Sequence, residues 1–253
     1  MLNHHRLFIP ESLEIDQQLT LPQDKAHYIQ RVLRLPEQSP VWLFNGQGGA
    51  YRATVHHQGK KVLARIHEFD PTECELGLKI NVAQGLATGD KMDWVIEKAV
   101  EMGVFAFAPI AAQRSVLKLA PARMEKRVAH WQRIIEAASA QCGRNRLMRL
   151  DPPKNLEDYL RDQREQLQAP GQGLILCHQD ATHDFVQAFA PPVGGWSQLH
   201  LLIGPEGGWS DEEVACALDY GARPLLFGQR VLRTETAAIA LVGALRGYLH
   251  CLD

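Results

Sequence analysis

The sequence has no run of about 18 apolar residues, the length a membrane-spanning helix needs. Its first residues, MLNHHRLFIPESLEI, lack the apolar core of a secretion signal. The five cysteines, at 74, 142, 177, 216 and 251, form no CxxC pair. An odd, scattered set excludes a disulfide framework and a cysteine zinc cluster, and it fits a reducing, cytoplasmic setting. No histidine pair has HxxxH or HxxE spacing, so no metal is expected. There is no repeat, no low-complexity tract and no GxxxxGK[ST] phosphate loop. Excess charge is also missing, since the net charge is −2.

What is present is enough apolar residue for a real core, 45% of 253 residues. The balanced total charge conceals a local bias. From Arg114 to Arg149 there are nine basic residues (Arg114, Lys118, Arg123, Lys126, Arg127, Arg133, Arg144, Arg146, Arg149) against Glu125 and Glu136. Such a segment is a candidate surface for a nucleic-acid backbone, with a solvated helix face as the plainer alternative.

The first 70 or so residues read as mostly β. HRLFIP is a short strand, and VWLF, NGQGG and AYRATVHH read as strand, turn and strand. KVLARIHEF follows as another strand, and one helix is expected at about 23–33. Short strands joined by glycine turns suggest a small barrel or sandwich. DPTECE, at 70–75, reads as a linker. Beyond it strands and helices alternate. LKINVAQG, VFAFAPI, GLILCH, LHLLIG and RPLLFG are short apolar strands suited to a parallel sheet covered on both faces. Helices are expected at DKMDWVIEKAVEMG, with Asp90 as N-cap, and at 121–142, with Met124, Val128, Ile135 and Cys142 as its apolar stripe. Further helices are expected from Ser210, through a capping box with Glu213, and from about Glu235 to Cys251.

In such α/β sheets ligands bind at the loops leaving the carboxyl ends of strands. Two loops stand out there. IGPEGGWSDEEV carries Glu206 inside a glycine turn, where a phosphate would be repelled, and Pro205 removes a donor N–H. Its glycines permit close backbone approach. The loop therefore suits a ligand that offers donors or positive charge. In FGQRVLRTETAAIAL, Thr234 or Thr236 is a candidate helix cap. Arg233 opposes the helix macrodipole and has no such structural role, short of pairing with Glu235 or Glu206.

LLIGPEGGWSDEE followed by LLFGQRVLRTETAAIAL resembles the signature of the ribosomal RNA small subunit methyltransferase E family, within the SPOUT superfamily. KMDWVIEKAVEMGVFAFAPI, with Met102 where leucine is usual, and EAASAQCGRNR, with Cys142 where serine is usual, extend the likeness upstream. HRLFIP and the hairpin match its small barrel less specifically. The resemblance implies an α/β fold with two domains: a PUA-like β-barrel over 1–72 that binds RNA, and a SPOUT parallel-sheet domain over 73–253 with a trefoil knot. It implies a homodimer using S-adenosylmethionine to methylate N3 of one uridine in 16S ribosomal RNA of the small subunit.

Ile203, Gly204, Pro205, Glu206, Gly207 and Gly208, with Phe227, Gly228, Leu232, Thr234 and Thr236, would then hold the cofactor. Whether Glu206 meets a ribose hydroxyl or the amino group stays open. Arg233 would stabilise the uracil anion, and Glu235 or bulk water would take the proton. Arg6, Arg31, Arg34, Arg114, Arg144 and Arg146 are the candidate RNA contacts. The alternatives are a SPOUT enzyme acting on transfer RNA and a non-catalytic RNA-binding assembly factor.

Overall fold

Period-2 burial builds the first sheet. In β3 (Pro40–Phe44), Val41 and Leu43 point inward; in β4 (Ala50–Gln58), Ala53 and Val55; in β5 (Lys61–Asp70), Val62, Ala64 and Ile66. The three strands pair antiparallel in sequence order. β1 (Arg6–Phe8) adds in parallel to β3, and β2 (Gln18–Thr20), which the sequence reading missed, closes against β5. The resulting order is β1-β3-β4-β5-β2, with a register shift between Arg52 and Ala53 that bends β4. In the Asn45 turn, Gly49 lies against the Phe69 ring, where a Cβ would come within 2.4 Å, so no larger residue fits.

This computed structural model describes residues 5–117 and 121–249. Contacts gather the chain into two units, Met1–Glu75 with Glu136–Leu147, and Leu76–Ile135 with Met148–Asp253. The return of Glu136–Leu147 to the first unit is invisible to a linear division. There Arg144 makes a two-pronged contact with Glu75 (2.9 and 2.6 Å), and Asn145 donates to the Thr72 carbonyl at 2.7 Å. The DPTECE segment is thereby pinned in place.

The helix expected at 23–33 is two structures. An α-helix, α1 (Gln23–His27), runs into a π-helical turn (Tyr28–Leu33), ended by Arg34 at φ 51. Ala26 and Ile29 are buried in the core with the strands' inward residues, while Tyr28 and Val32 stay exposed.

The second unit is a wholly parallel sheet of β6 (Lys79–Gly85), β7 (Ala106–Ile110), β8 (Arg149–Leu150), β9 (Gln172–Cys177), β10 (Gln198–Ile203) and β11 (Arg223–Leu225). Its order is β11-β9-β10-β6-β7-β8. Every residue of β10 is buried, as expected for a strand covered on both faces. β6 and β10 are neighbours although 118–120 residues separate their paired polar groups, and the chain fans outward from them to either side. Their carboxyl ends therefore form the topological switch point, where ligands of open α/β sheets bind.

Four helices matter to the site: α2 (Lys91–Glu101), α3 (Pro121–Cys142), α7 (Asp211–Asp219) and α8 (Thr234–Tyr248). Between α3 and α7 lie α4 (Leu156–Asp162), α5 (Arg164–Leu167) and α6 (Phe185–Ala188), three short helices the sequence reading missed. Met92, Val95, Ile96, Ala99 and Val100 are the buried face of α2, as the periodicity indicates. Asp90 holds the N-cap position of α2, but its side chain caps nothing. On α3 the expected stripe is shifted: Trp131, Ile135, Ala138 and Ser139 are buried, whereas Met124, Val128 and Cys142 are half-exposed. Trp131 is fully buried and donates its indole N–H to Asp93 of α2 at 2.9 Å. No helix among the described residues is long and apolar enough to cross a membrane.

Trp131→Ala removes a fully buried aromatic and an internal donor. It should cost about 3–5 kcal/mol of stability, read as a lower denaturant midpoint. A loss under about 1 kcal/mol would show that α3 is not anchored there.

Candidate functional site

At the switch point, β6 ends on Gln84 and Gly85, two unlike residues after an apolar run. Gln84 is completely buried and donates its amide to Thr234 Oγ1 at 2.7 Å, on the first turn of α8. Thr234 donates onward to the Gly204 carbonyl at 2.5 Å, just past β10. Gly85 lies so close to Pro205 that a Cβ would fall 2.4 Å from the ring. Gly207 packs against the Arg114 backbone, where a Cβ would stand 2.9 Å from its carbonyl oxygen, and Gly208 has φ +69. The glycines of the first loop are thus required by close approach and by left-handed backbone.

Glu206 meets protein groups. One carboxylate oxygen accepts from Thr88 N–H (3.0 Å), Thr88 O–H (2.8 Å) and Lys91 Nζ (2.8 Å). Partial burial pushes this carboxyl upward, but the Lys91 ammonium and then the Thr88 donors more than cancel it, holding the pKa at about 2. Lys91 also stands 3.9 Å from Glu235 Oε2. That oxygen is buried and has no hydrogen-bond partner among the described residues. One ammonium thus faces two carboxylates, leaving a net negative site with an unused acceptor.

The predicted residues fall into three groups. Gly204, Pro205, Glu206, Thr234 and Glu235 are brought together by the contacts just described, with Ile203 beside Gln84 in the sheet register and Gly207 and Gly208 in the same loop. Phe227, Gly228 and Leu232 belong to the irregular segment before α8, where the Phe227 ring lies 6.0 Å from Phe185. Arg233 and Thr236 are exposed at the start of α8. Neither threonine caps that helix. Arg233 occupies the N-cap position, and Thr234 spends its hydroxyl on Gly204. Arg233 has no carboxylate within ion-pair distance among the described residues.

The predicted RNA contacts divide differently. Arg31 and Arg34 are exposed without ion pairs among the described residues, and Arg114 is half-exposed beside Asp211 (3.4 Å). Arg146 is exposed but pairs with Glu73 at 3.4 Å. Arg144 is a correction: its side chain is 4% exposed and bound to Glu75, so it anchors the fold and cannot face a nucleic acid. Arg6 is also turned inward, bonded to Asn145 and lying over the Phe44 ring, and burial lowers its pKa. Of the remaining basic segment, Arg127 and Arg149 have acidic partners, Arg123, Lys126 and Arg133 are exposed, and Lys118 lies outside the described residues.

Sequence reasoning missed Gln84, Thr88, Lys91 and the second role of Glu213. Glu213 forms the expected capping box with Ser210 and also accepts from the Gln113 N–H at 2.9 Å, fastening the segment after β7 to α7. A signal existed for Gln84, since a buried polar residue closing an apolar strand requires partners. Lys91 and Thr88 carried none, because their partner lies 115 and 118 residues away.

Residues 74–246 match the model of an RNA methyltransferase domain, and 21–66 that of an RNA methyltransferase PUA domain. The chain is 30% identical over 247 residues to a ribosomal RNA small subunit methyltransferase E from Synechocystis, covering 95% of this chain and 78% of that one. It is 32% identical over 228 residues to that of Mycobacterium bovis, covering 87% and 83%. Among solved structures, a Legionella pneumophila protein in complex with the bound cofactor SAM superposes with a TM-score of 0.88 at 31% identity, covering 97% and 98%. A Neisseria gonorrhoeae ribosomal RNA small subunit methyltransferase E bound to S-adenosyl methionine gives 0.85 at 29%, with the same coverage.

Lys91→Met should raise the Glu206 pKa well above about 2, followed by carboxyl NMR titration. Because the folded pKa lies below the unfolded one, Glu206 stabilises the wild-type loop above about pH 4.5 and loses that effect as pH falls toward 2. In the variant the loss should begin at higher pH. An unmoved Glu206 titration would assign its low pKa to the Thr88 donors and the Glu206 backbone N–H.

Proposed function

The chain belongs to the ribosomal RNA small subunit methyltransferase E family, and from that premise we propose that it transfers the methyl group of S-adenosylmethionine to N3 of one uridine in 16S ribosomal RNA. The observation that carries this reading is the charge arrangement at the switch point. Glu206 and Glu235 share one ammonium, and among the described residues Glu235 Oε2 is buried without a hydrogen bond and Arg233, beside it in sequence, has no ion pair. A phosphate-bearing nucleotide is disfavoured by that negative charge. A ligand with a sulfonium and an ammonium is favoured by it, and the unused Glu235 oxygen suits a donor.

In this reading the backbone of 203–208 and of 227–232 holds the adenosine, with Thr234 fixing the distance between the loops through Gly204. The bound cofactor supplies an activated methyl group. The chain's own residues supply alignment and charge. Uridine N3 carries a proton at neutral pH, so transfer needs a proton acceptor and a stabiliser for the uracil oxygens. Glu235 Oε2 is assigned the proton, and Arg233 the oxygens. Arg31, Arg34, Arg114 and Arg146 are assigned to RNA contact on grounds of exposure. The reading includes residues 1–72 as the RNA-binding PUA-like domain and 73–253 as the catalytic SPOUT domain with its trefoil knot. It also includes a homodimer in the cytoplasm.

Arg233→Ala should reduce methyl transfer by roughly 100-fold or more, the scale of losing one charge-stabilising donor. Calorimetric binding of S-adenosylmethionine should persist. Turnover retained in the variant would remove Arg233 from the reaction. Mass mapping of small-subunit RNA from a deletion strain should show one uridine lighter by a methyl group. A fully methylated RNA would sink the proposed activity.

A further inference from the structure

We propose that the first unit holds a subsite for one unpaired nucleotide of the substrate RNA, in the cavity lined by Gln30, Arg31, Arg34, Leu35, Pro36 and His57. Arg31 and Arg34 take its phosphate, and Leu35 with Pro36 form the floor for its base. The inference rests on the RNA-methylating reading above and specifies how part of the RNA is held.

The cavity has a volume of about 600 Å³, inside the roughly 300–1,000 Å³ span of small-ligand sites. Its lining is mixed in the way a nucleotide is mixed. Two guanidinium groups have no ion pair among the described residues, whereas Arg52, Arg146, Arg149 and Arg161 each face a carboxylate. The acid nearest in sequence, Glu37, is held elsewhere: it accepts from His56 Nδ1 at 2.8 Å and from the His57 N–H at 2.7 Å. Those bonds, with the charges of His56 and His57, keep its carboxyl below the usual range. Free anions would need only the arginines. The apolar floor calls for a base.

The floor is rigid. Leu35 packs against the core of the first unit, and its N–H donates to the Ile29 carbonyl at 3.1 Å. Its own carbonyl accepts from His57 Nε2 at 2.8 Å, so Nε2 carries the proton. Gln30, another lining residue, donates its amide to the Gly59 carbonyl at 3.1 Å. The backbone is unusual at this place. A π-helical turn is rare and concentrates at functional sites. Arg34, at φ 51 and ψ 41, adopts a left-handed conformation that disfavours a non-glycine residue. Both features set the positions from which Arg31 and Arg34 reach the same cavity. Leu35 and Pro36 offer an apolar surface on which a base splayed out of the stack can lie, and unpaired RNA is read through such exposed bases.

The test uses the full chain and three probes: a short oligouridine, a duplex RNA of equal length and inorganic phosphate. With R31A/R34A, the Kd for oligouridine should rise about tenfold and its salt slope should fall by about one. The duplex should bind weakly to both proteins. In methylation assays KM for RNA should rise, while kcat at saturating RNA and S-adenosylmethionine binding stay unchanged. R31K/R34K, which keeps the charge, should recover part of the affinity. An oligouridine Kd unchanged in R31A/R34A, alongside an active wild type, overturns the subsite and leaves the methyltransferase reading standing. Equal loss of duplex and single-strand binding overturns its preference for an unpaired nucleotide. Loss of phosphate binding alone, with oligouridine affinity intact, marks an anion site and overturns it too. A wild type that binds no RNA overturns both readings.

Discussion

Gln84 passes a hydrogen bond to Thr234, and Thr234 passes one to Gly204, inside the carboxyl edge of the parallel sheet. These three groups come from distant parts of the chain. Gln84 is completely buried and Thr234 nearly so, and a buried polar group left unpaired costs about 1–3 kcal/mol. The relay pairs the Gln84 amide donor and the Thr234 hydroxyl in that buried setting. That arrangement sets the distance between the glycine loop and the start of α8. The Gly85–Pro205 contact enforces the same distance by steric exclusion. Lys91 could not serve both Glu206 and Glu235 if either loop moved by an ångström or two.

The charge distribution follows a similar economy. Much of the basic character visible in the sequence is consumed internally. Arg144 neutralises Glu75, Arg146 meets Glu73, Arg149 meets Asp151, and Arg127 approaches Asp93. Among the described residues, the cations left without a carboxylate include Arg233 at the start of α8, Arg31 with Arg34 around the cavity, and Arg123, Lys126 and Arg133 on α3. A count of arginines in a segment thus overstates what the surface offers to a phosphate backbone.

Local pattern made the strands legible, because alternation in β3 to β5 and largely apolar runs in β6 and β10 are imposed by burial on one face or on both. The capping box at Ser210 was legible for the same reason: its partners are three residues apart. Glu206 and the glycines drew attention because each contradicts the usual chemistry of a phosphate loop. What escaped was long-range or irregular. The partner of Glu206 lies on another helix, the buried face of α3 depends on where Asp93 stands, and β2 is too short to show a period. The π-helical turn escaped because a widened turn keeps the same residue types as an α-helix. The inward course of Arg144 escaped because a charged residue gives no local sign of the carboxylate that will bury it.

The parallel pairing of β6 with β10 has a consequence for the order in which the molecule forms. Gln84 and Gly204 are 120 residues apart, and no shorter path connects their strands within the sheet. Closing a loop of that length costs entropy before any contact at the sheet's carboxyl edge returns it. During synthesis, β6 leaves the ribosome long before its neighbour exists, with an apolar edge unpaired. The contacts at the sheet's carboxyl edge, from Gln84 through Thr234 to Gly204, are thus out of reach of every nascent chain that ends before the last third of the polypeptide.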